Sequence, residues 1–353
     1  MSTLHHIALL RLAAQRIAGP GFGTAAAAVR WLTAAQAQDY PGVVCSIALR
    51  TEPRTRQSVE AALNAGEVVR SWPMRGTLHF VPAEDLPWML ALTSDRILAG
   101  AARRRDQLAL DASIIEHARR LATEALTGGR QLSRAALLAI WEEAGLLTVK
   151  QRSYHLLLHL ALTGTLCYGP VRDGEQQLVL LDEWVPHPRL LEREVALGEW
   201  ALRYFRSHGP ATAKDFAWWT KLTMADVKTG LAIARPHLEL LEVDGVEYFM
   251  DPYTPERLEG YESQARQTFL LPGFDEYMLG YQDRGAALPA EFAQSIVPGN
   301  NGMFKATVVA DGEVVGTWKR TGTGARRAAA ATPFTSFSPE VEGAVPRVFA
   351  SFP

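Results

Sequence analysis

An α+β fold is predicted from the sequence: three tandem units, each of short helices closed by a two-stranded ribbon, then a small C-terminal antiparallel β domain with a barrel-like outline. The first observation behind this is a pattern that recurs three times, helical text running into alternating apolar residues. The second is Asp-Gly at 173–174, 244–245 and 311–312, each flanked by such residues, the composition of a tight hairpin turn. The third is a change of character after Pro255, where alternating segments replace helical ones.

The first unit (1–95) carries helical VEAALNAGEVVRSW at 59–72 and extended MRGTLHFVP at 74–82. The second (96–188) runs LSRAALLAIWEEAG, SYHLLLHLALTGTLCYGP, the turn Asp173-Gly174 and the strand QQLVLLD. In the third (189–256), Gly209-Pro210 ends one helix, Thr212 is placed to cap the next in ATAKDFAWWTKL, and Asp244-Gly245 joins two strands. Short helices followed by a hairpin outline a winged helix-turn-helix, and three in tandem strengthen a match that one copy would leave weak. In the last segment (257–353), RQTFLLPGFDEYMLGY precedes FKATVVADGEVVGTWKR, whose Asp311-Gly312 turn and the following TGTGARR turn imply three consecutive antiparallel strands. PGNNG at 298–302 reads as a loop.

Composition excludes several classes. With 48% hydrophobic and 21% charged residues the chain is a globular protein with enough apolar mass for several cores, not a disordered one. No apolar run reaches the ~18 residues that span a bilayer, and His5, His6 and Arg11 interrupt the start, so a cytoplasmic protein without membrane contact is expected. Cys45 and Cys167 read as reduced core thiols. The net charge of −2 argues against indiscriminate nucleic-acid coating, yet 30 of the 36 basic residues are arginine and several are bunched: Arg103 with Arg104 and Arg105, Arg119 with Arg120, and Arg326 with Arg327. Arginine forks suit phosphate, although an arginine-favouring genome gives the same composition.

Candidate chemistry narrows quickly. GPGFGTAAAAVRWL resembles a dinucleotide loop, but helical text precedes it where that chemistry needs a buried strand. His155 and His159 have ligand spacing on a helix, yet Leu156 stands where a metalloprotease has glutamate and a third ligand is missing, so no metal is expected. There is no G-x-S-x-G nucleophile elbow. The informative segment is RWLTAAQAQDYPG at 30–42, where helical text runs through Ala35 and Pro41-Gly42 ends the element. Residues two apart on a helix diverge by ~200°, so Gln36 and Gln38 serve one site only if the helix unwinds there. Two convergent amides can orient a water without taking its proton; two solvent-facing glutamines at a helix end have the same sequence.

LTAAQAQDYPG, SWPMRGTLHFVPAEDL, HGPATAKDFAWWTKL, LLPGFDEYMLGYQDR and DGEVVGTWKR, in this order over nearly the whole chain, resemble the winged-helix DNA glycosylases of the AlkZ type. The family's mark, glutamine, a variable residue, then glutamine or aspartate, reads Gln36-Ala37-Gln38. The resemblance implies a monofunctional DNA glycosylase that hydrolyses the N-glycosidic bond of alkylated purines, chiefly 7-alkylguanine, in base excision repair. It also implies a glutamine-glutamine subgroup that includes self-resistance enzymes acting on bulky natural-product adducts, with some members unhooking interstrand crosslinks. Gln36 and Gln38 would be catalytic, double-stranded DNA the partner, the protein a monomer, and no cofactor is expected. Phosphate contacts are assigned to Arg103, Arg104, Arg105, Lys319, Arg320, Arg326 and Arg327, and the hairpin tip Thr321-Gly322-Thr323-Gly324-Ala325 is a candidate minor-groove probe or a plain solvent loop. The rival reading is a non-catalytic winged-helix DNA-binding protein or transcriptional regulator, against which stand three units in one chain and no dimerisation helix.

Overall fold

All three Asp-Gly pairs close hairpins, and both residues of each pair have positive φ: 52° and 79° at Asp173-Gly174, 52° and 75° at Asp244-Gly245, 49° and 81° at Asp311-Gly312. Positive φ at both central positions is the type I′ geometry, which matches the twist of the flanking strands and which glycine adopts without a Cβ clash.

The computed structural model describes residues 3–353. The chain begins with helices α1 (Thr3–Ala14) and α2 (Ala25–Leu32), the extended pair β1 (Ala35–Gln36), helices α3 (Tyr40–Ala48) and α4 (Arg56–Asn64), and the hairpin β2 (Val68–Met74) and β3 (Thr77–Pro82). A long helix α5 (Leu86–Gln107) leads to α6 (Ala112–Leu126), α7 (Arg134–Glu143), α8 (Arg152–Leu162), the hairpin β4 (Leu166–Arg172) and β5 (Glu175–Leu180), and α9 (Leu181–Trp184). Helices α10 (Arg193–His208), α11 (Ala213–Thr220) and α12 (Met224–Ala234) precede the hairpin β6 (Glu239–Val243) and β7 (Val246–Met250) and helix α13 (Thr254–Ala265). Then come β8 (Thr268–Leu271), α14 (Glu276–Leu279), α15 (Ala293–Ile296), β9 (Thr307–Ala310), β10 (Glu313–Thr321), β11 (Ala328–Pro333) and α16 (Pro339–Ala350).

One order recurs: a helix, a short extended piece, two helices, a hairpin. In the second copy the extended piece is Leu132, which exchanges main-chain hydrogen bonds with Leu178 of β5; in the third it is Ala211, which does so with Phe249 of β7. The first copy has β1 at this position, between α2 and α3. Thr212 caps α11 as its sequence suggests, its hydroxyl accepting from Asp215 N–H while the Asp215 carboxylate accepts from Thr212 N–H.

The chain forms two units, one of residues up to Val59 together with Leu197–Pro353, the other Glu60–Ala196. Within the second, the strands form an antiparallel sheet in the order β3-β2-β4-β5. In the first, α1 is buried along most of its length and packs Ala8, Leu9, Leu12 and Ala13 into a cluster with Leu258 and Ala265 of α13 and Tyr277, Met278 and Leu279 of α14. The C-terminal strands form an antiparallel sheet in the order β11-β10-β9-β8, and Val341 and Val345 of α16 pack with Leu270, Val308 and Trp318.

Three sequence expectations change. Helical text at 59–72 ends at Asn64, and Val68 to Met74 is strand, because Gly66 at φ 73° turns the chain just before the β-branched pair Val68 and Val69. The barrel-like outline is an open sheet with β8 and β11 at its edges and α16 packed with its core residues. The helix expected to run through Ala35 stops at Leu32, where Thr33 has φ 70°.

Candidate active site

Gln36 therefore lies in an extended link between two helices rather than at a helix end. Residues 33–39 are not helical, so the angular objection that a helix raises against Gln36 and Gln38 does not apply; the strand itself ends at Gln36 and Gln38 lies in a bend. Gln36 is 7% exposed, Ala37 is fully buried, and Gln38 is exposed. Pro41 occupies the first turn of α3, where its missing N–H costs nothing, and a Cβ at Gly42 would lie 2.5 Å from Asp39 Oδ2, so a larger residue there would displace that side chain.

The main chain of this link is held by a buried carboxylate. Glu276, at the start of α14, is fully buried, and its Oε1 accepts the Gln36 N–H at 3.0 Å. Its Oε2 accepts Trp219 Nε1–H at 2.9 Å and faces His208 Nε2 at 3.4 Å. Gln15, also fully buried, donates from Nε2 to the Glu276 carbonyl at 3.1 Å and to the Tyr281 hydroxyl at 2.9 Å, and that hydroxyl donates to the His208 carbonyl at 2.7 Å. Burial pushes the Tyr281 hydroxyl far up, so it stays a donor. The Arg11 guanidinium lies 3.7 Å from the centre of the Tyr281 ring.

A second buried pair locks the neighbouring backbone. Arg50 and Asp275 meet through two parallel hydrogen bonds of 2.9 Å, with side chains 0% and 2% exposed. Arg50 also donates to the carbonyls of Gln15 and Ser46 and to Gln15 Oε1, and Ser46 Oγ donates to Asp275 Oδ2 at 2.7 Å. Burial alone would raise the Asp275 carboxyl; the Arg50 charge and the hydrogen bonds from Arg50, Ser46 and Tyr277 N–H outweigh it and leave the carboxyl below its ordinary value. Buried charges are tolerated only with partners this complete. The link thus presents a placed backbone, one sheltered amide and one open amide, which is what orienting a small polar molecule requires.

A family model described as DNA glycosylase AlkZ-like matches residues 29–352. The chain belongs to the AlkZ-like DNA glycosylase family. An interstrand DNA cross-link repair glycosylase of Streptomyces sahachiroi is 25% identical over 302 residues, covering 82% of this chain and 80% of that protein. The solved structure of Streptomyces sahachiroi DNA glycosylase AlkZ aligns with a TM-score of 0.81 at 22% identity, covering 100% of this chain and 96% of the other, a likeness of fold.

In this AlkZ-like chain the other nominated residues scatter by role. Lys319, Arg326 and Arg327 are exposed on and beyond β10, in the unit that holds Gln36 and Gln38. Arg320 is engaged within the protein: Nη2 approaches Cys45 Sγ at 3.4 Å and donates to the Pro353 main-chain oxygen at 2.6 Å, and its guanidinium lies 5.2 Å from the Phe352 ring centre. Cys45 is on α3, so this contact holds the turn end of the β10–β11 hairpin beside the helix that follows Gln38. At the tip, Thr323 and Gly324 are exposed, and a Cβ at Gly322 would lie 2.1 Å from the Arg326 carbonyl oxygen, so the turn is folded tightly on itself.

Arg103, Arg104 and Arg105 lie in the last turns of α5, in the other unit. Arg103 and Arg104 are exposed, Arg104 donating to Gln107 and Gln151, whereas Arg105 turns back to donate to the Leu98 carbonyl at 2.8 Å. His155 and His159 lie near these arginines, and no group of three or more His, Cys, Asp or Glu is placed for a metal among the described residues. Sequence reasoning assigned no role to Glu276, Asp275, Arg50 or Gln15. The available signal was Asp-Glu inside the apolar run LLPGFDEYMLGY, since charges in such text are buried only when paired.

Proposed function

We propose that this family member is a monofunctional glycosylase of double-stranded DNA that hydrolyses the N-glycosidic bond of alkylated purines, chiefly 7-alkylguanine, and that bulky natural-product adducts and interstrand crosslinks fall in its substrate class. Gln36 and Gln38 orient the attacking water, as the glutamine-x-glutamine subgroup would. The observation that carries this reading is the hold of fully buried Glu276 on the Gln36 main chain, since a water-positioning amide needs a fixed backbone. The Streptomyces relative is an interstrand DNA cross-link repair glycosylase. The thrice-repeated order of helix, extended piece, two helices and hairpin supports three winged-helix units, and the Arg320 contact supports a hairpin that engages DNA near the glutamines.

The chemistry needs little acid. Alkylation at the seventh ring position makes guanine cationic; as the bond to the sugar breaks, its electron pair returns to the base, which leaves neutral. The oxocarbenium-like sugar takes the oriented water, whose proton goes to solvent. No lysine stands in the motif, so an abasic site is the product rather than a Schiff base.

Incubation with 7-methylguanine duplex followed by alkali tests the reading through strand cleavage. Gln38→Ala should slow excision about 10- to 1000-fold, the scale for losing a positioned dipole, with duplex affinity nearly intact. Parental turnover in the Gln36→Ala, Gln38→Ala double variant would remove both residues from the chemistry; binding by the parent without abasic sites would favour the non-catalytic reading.

A further inference from the structure

Within the first unit, between α2 and α10, lies a cavity of about 530 Å³, inside the ~300–1,000 Å³ range of small-molecule sites. Its walls include Phe22, Thr24, Trp31, Arg30, Arg203 and Arg206, and no carboxylate lines it. Phe22 and Trp31 form an aromatic wall, ring centres 5.8 Å apart, and Trp31 is anchored by its indole N–H on the Ala14 carbonyl at 2.7 Å. The Arg16 guanidinium stands 5.4 Å from both ring centres, and that of Arg257 5.1 Å from the Trp31 ring centre. Arg203 is balanced by Glu199 at 2.6 Å, whereas Arg206 Nε is buried with no hydrogen-bond partner among the described residues. The N-terminal turn of α2, capped by Thr24, adds the positive end of a helix.

Arginine side chains lining a cavity that has no carboxylate among its described lining residues suit an anionic ligand. Arginine forks and a helix N-terminus select phosphate, while an aromatic wall selects a flat ring; nucleotides carry both. We infer that this cavity binds a nucleotide, its phosphate held by Arg206 and by Arg30 of the last turn of α2 and its base set against Phe22 and Trp31. None of these residues takes part in the proposed excision, so the site is additional to it. The same chemistry is offered by a free nucleotide and by an unpaired nucleotide of DNA, and the two are separable by experiment.

Calorimetric titration of the full chain with deoxyadenosine monophosphate should show one site, with deoxyadenosine and inorganic phosphate each binding at least about tenfold more weakly. Arg206→Glu should weaken the monophosphate about tenfold or more, the scale of a charge-assisted hydrogen bond. If that variant loses its thermal transition, Arg30→Glu, at an exposed position, gives the same reading. In parallel, a short duplex with one unpaired 3′ nucleotide is compared with the blunt duplex: tighter binding that Arg206→Glu abolishes assigns the site to DNA, and monophosphate binding without that preference assigns it to free nucleotide. Absence of both effects, equal affinity for phosphate and the monophosphate, or indifference to both substitutions would overturn the inference. Excision of 7-methylguanine from a blunt duplex, read in the same samples, reports on the glycosylase reading separately.

Discussion

At the scale of single residues, the Arg50–Asp275 pair shows how a site can be rigid without being large. Both side chains are buried, every guanidinium nitrogen has an acceptor, and the pair joins the segment before α14 to the end of α3. Removing one partner leaves the other charged and buried, a change that costs about 3–5 kcal/mol. Asp275→Asn is therefore expected to lower the stability measured by chemical denaturation by that amount at neutral pH. The pH dependence follows from the depressed Asp275 carboxyl. Its stabilisation is complete above the unfolded value, ~3.9, and is lost as pH falls through the lower folded value. The parent should lose stability over that acidic range, and the Asn variant should lack this component. An unchanged acid limb would mean that the pair contributes nothing net.

At the scale of elements, hairpins were the most legible part of the fold, because Asp-Gly in type I′ turns is a local code that tertiary packing leaves alone. Helix ends were less legible. Nothing in WLTAAQ announces that Thr33 takes a positive φ, and it is tertiary contact, the Glu276 carboxylate on Gln36 N–H, that holds the link extended. Helix α16 escaped notice although Ser338 caps it through Val341 N–H and Pro339 opens it, a local signal interrupted by Pro346 within the helix. The brace around Gln36 escaped for a different reason: its members come from residues 15, 50, 208, 219 and 276, and only the fold brings them together. The β10–β11 turn can be tested as an element. Since Arg320 holds the strand end next to the turn through Cys45 and Pro353, and Gly322, Thr323 and Gly324 beyond it are exposed, shortening 321–325 to a two-residue turn should leave the melting temperature unchanged. Duplex affinity and 7-methylguanine excision should fall together. Parental excision by the shortened protein would make the turn a connection only.

At the scale of the whole molecule, a net charge of −2 has to be reconciled with binding a polyanion, and the placement of arginines does this better than their number. Many are spent inside the protein: Arg11 and Arg50 are buried, Arg105 is bonded to its own helix, and Arg320 braces a hairpin. Among the nominated residues, Lys319, Arg320, Arg326 and Arg327 are exposed in one unit and Arg103 and Arg104 in the other, with Arg320 already bonded to Pro353. Each phosphate contact releases counterions and contributes about 0.9 to the slope of log affinity against log salt. Alanine at Lys319, Arg326 and Arg327 together should therefore lower that slope by about 2.7, and alanine at Arg103 and Arg104 by about 1.8. Arg105→Ala should leave it unchanged, because the Leu98 carbonyl already holds that guanidinium. Affinities of a blunt duplex measured across a salt series decide the matter. An unaltered slope in either multiple variant withdraws that cluster from the DNA interface, and a reduced slope in Arg105→Ala would mean that its bond to Leu98 is exchanged for phosphate when DNA binds.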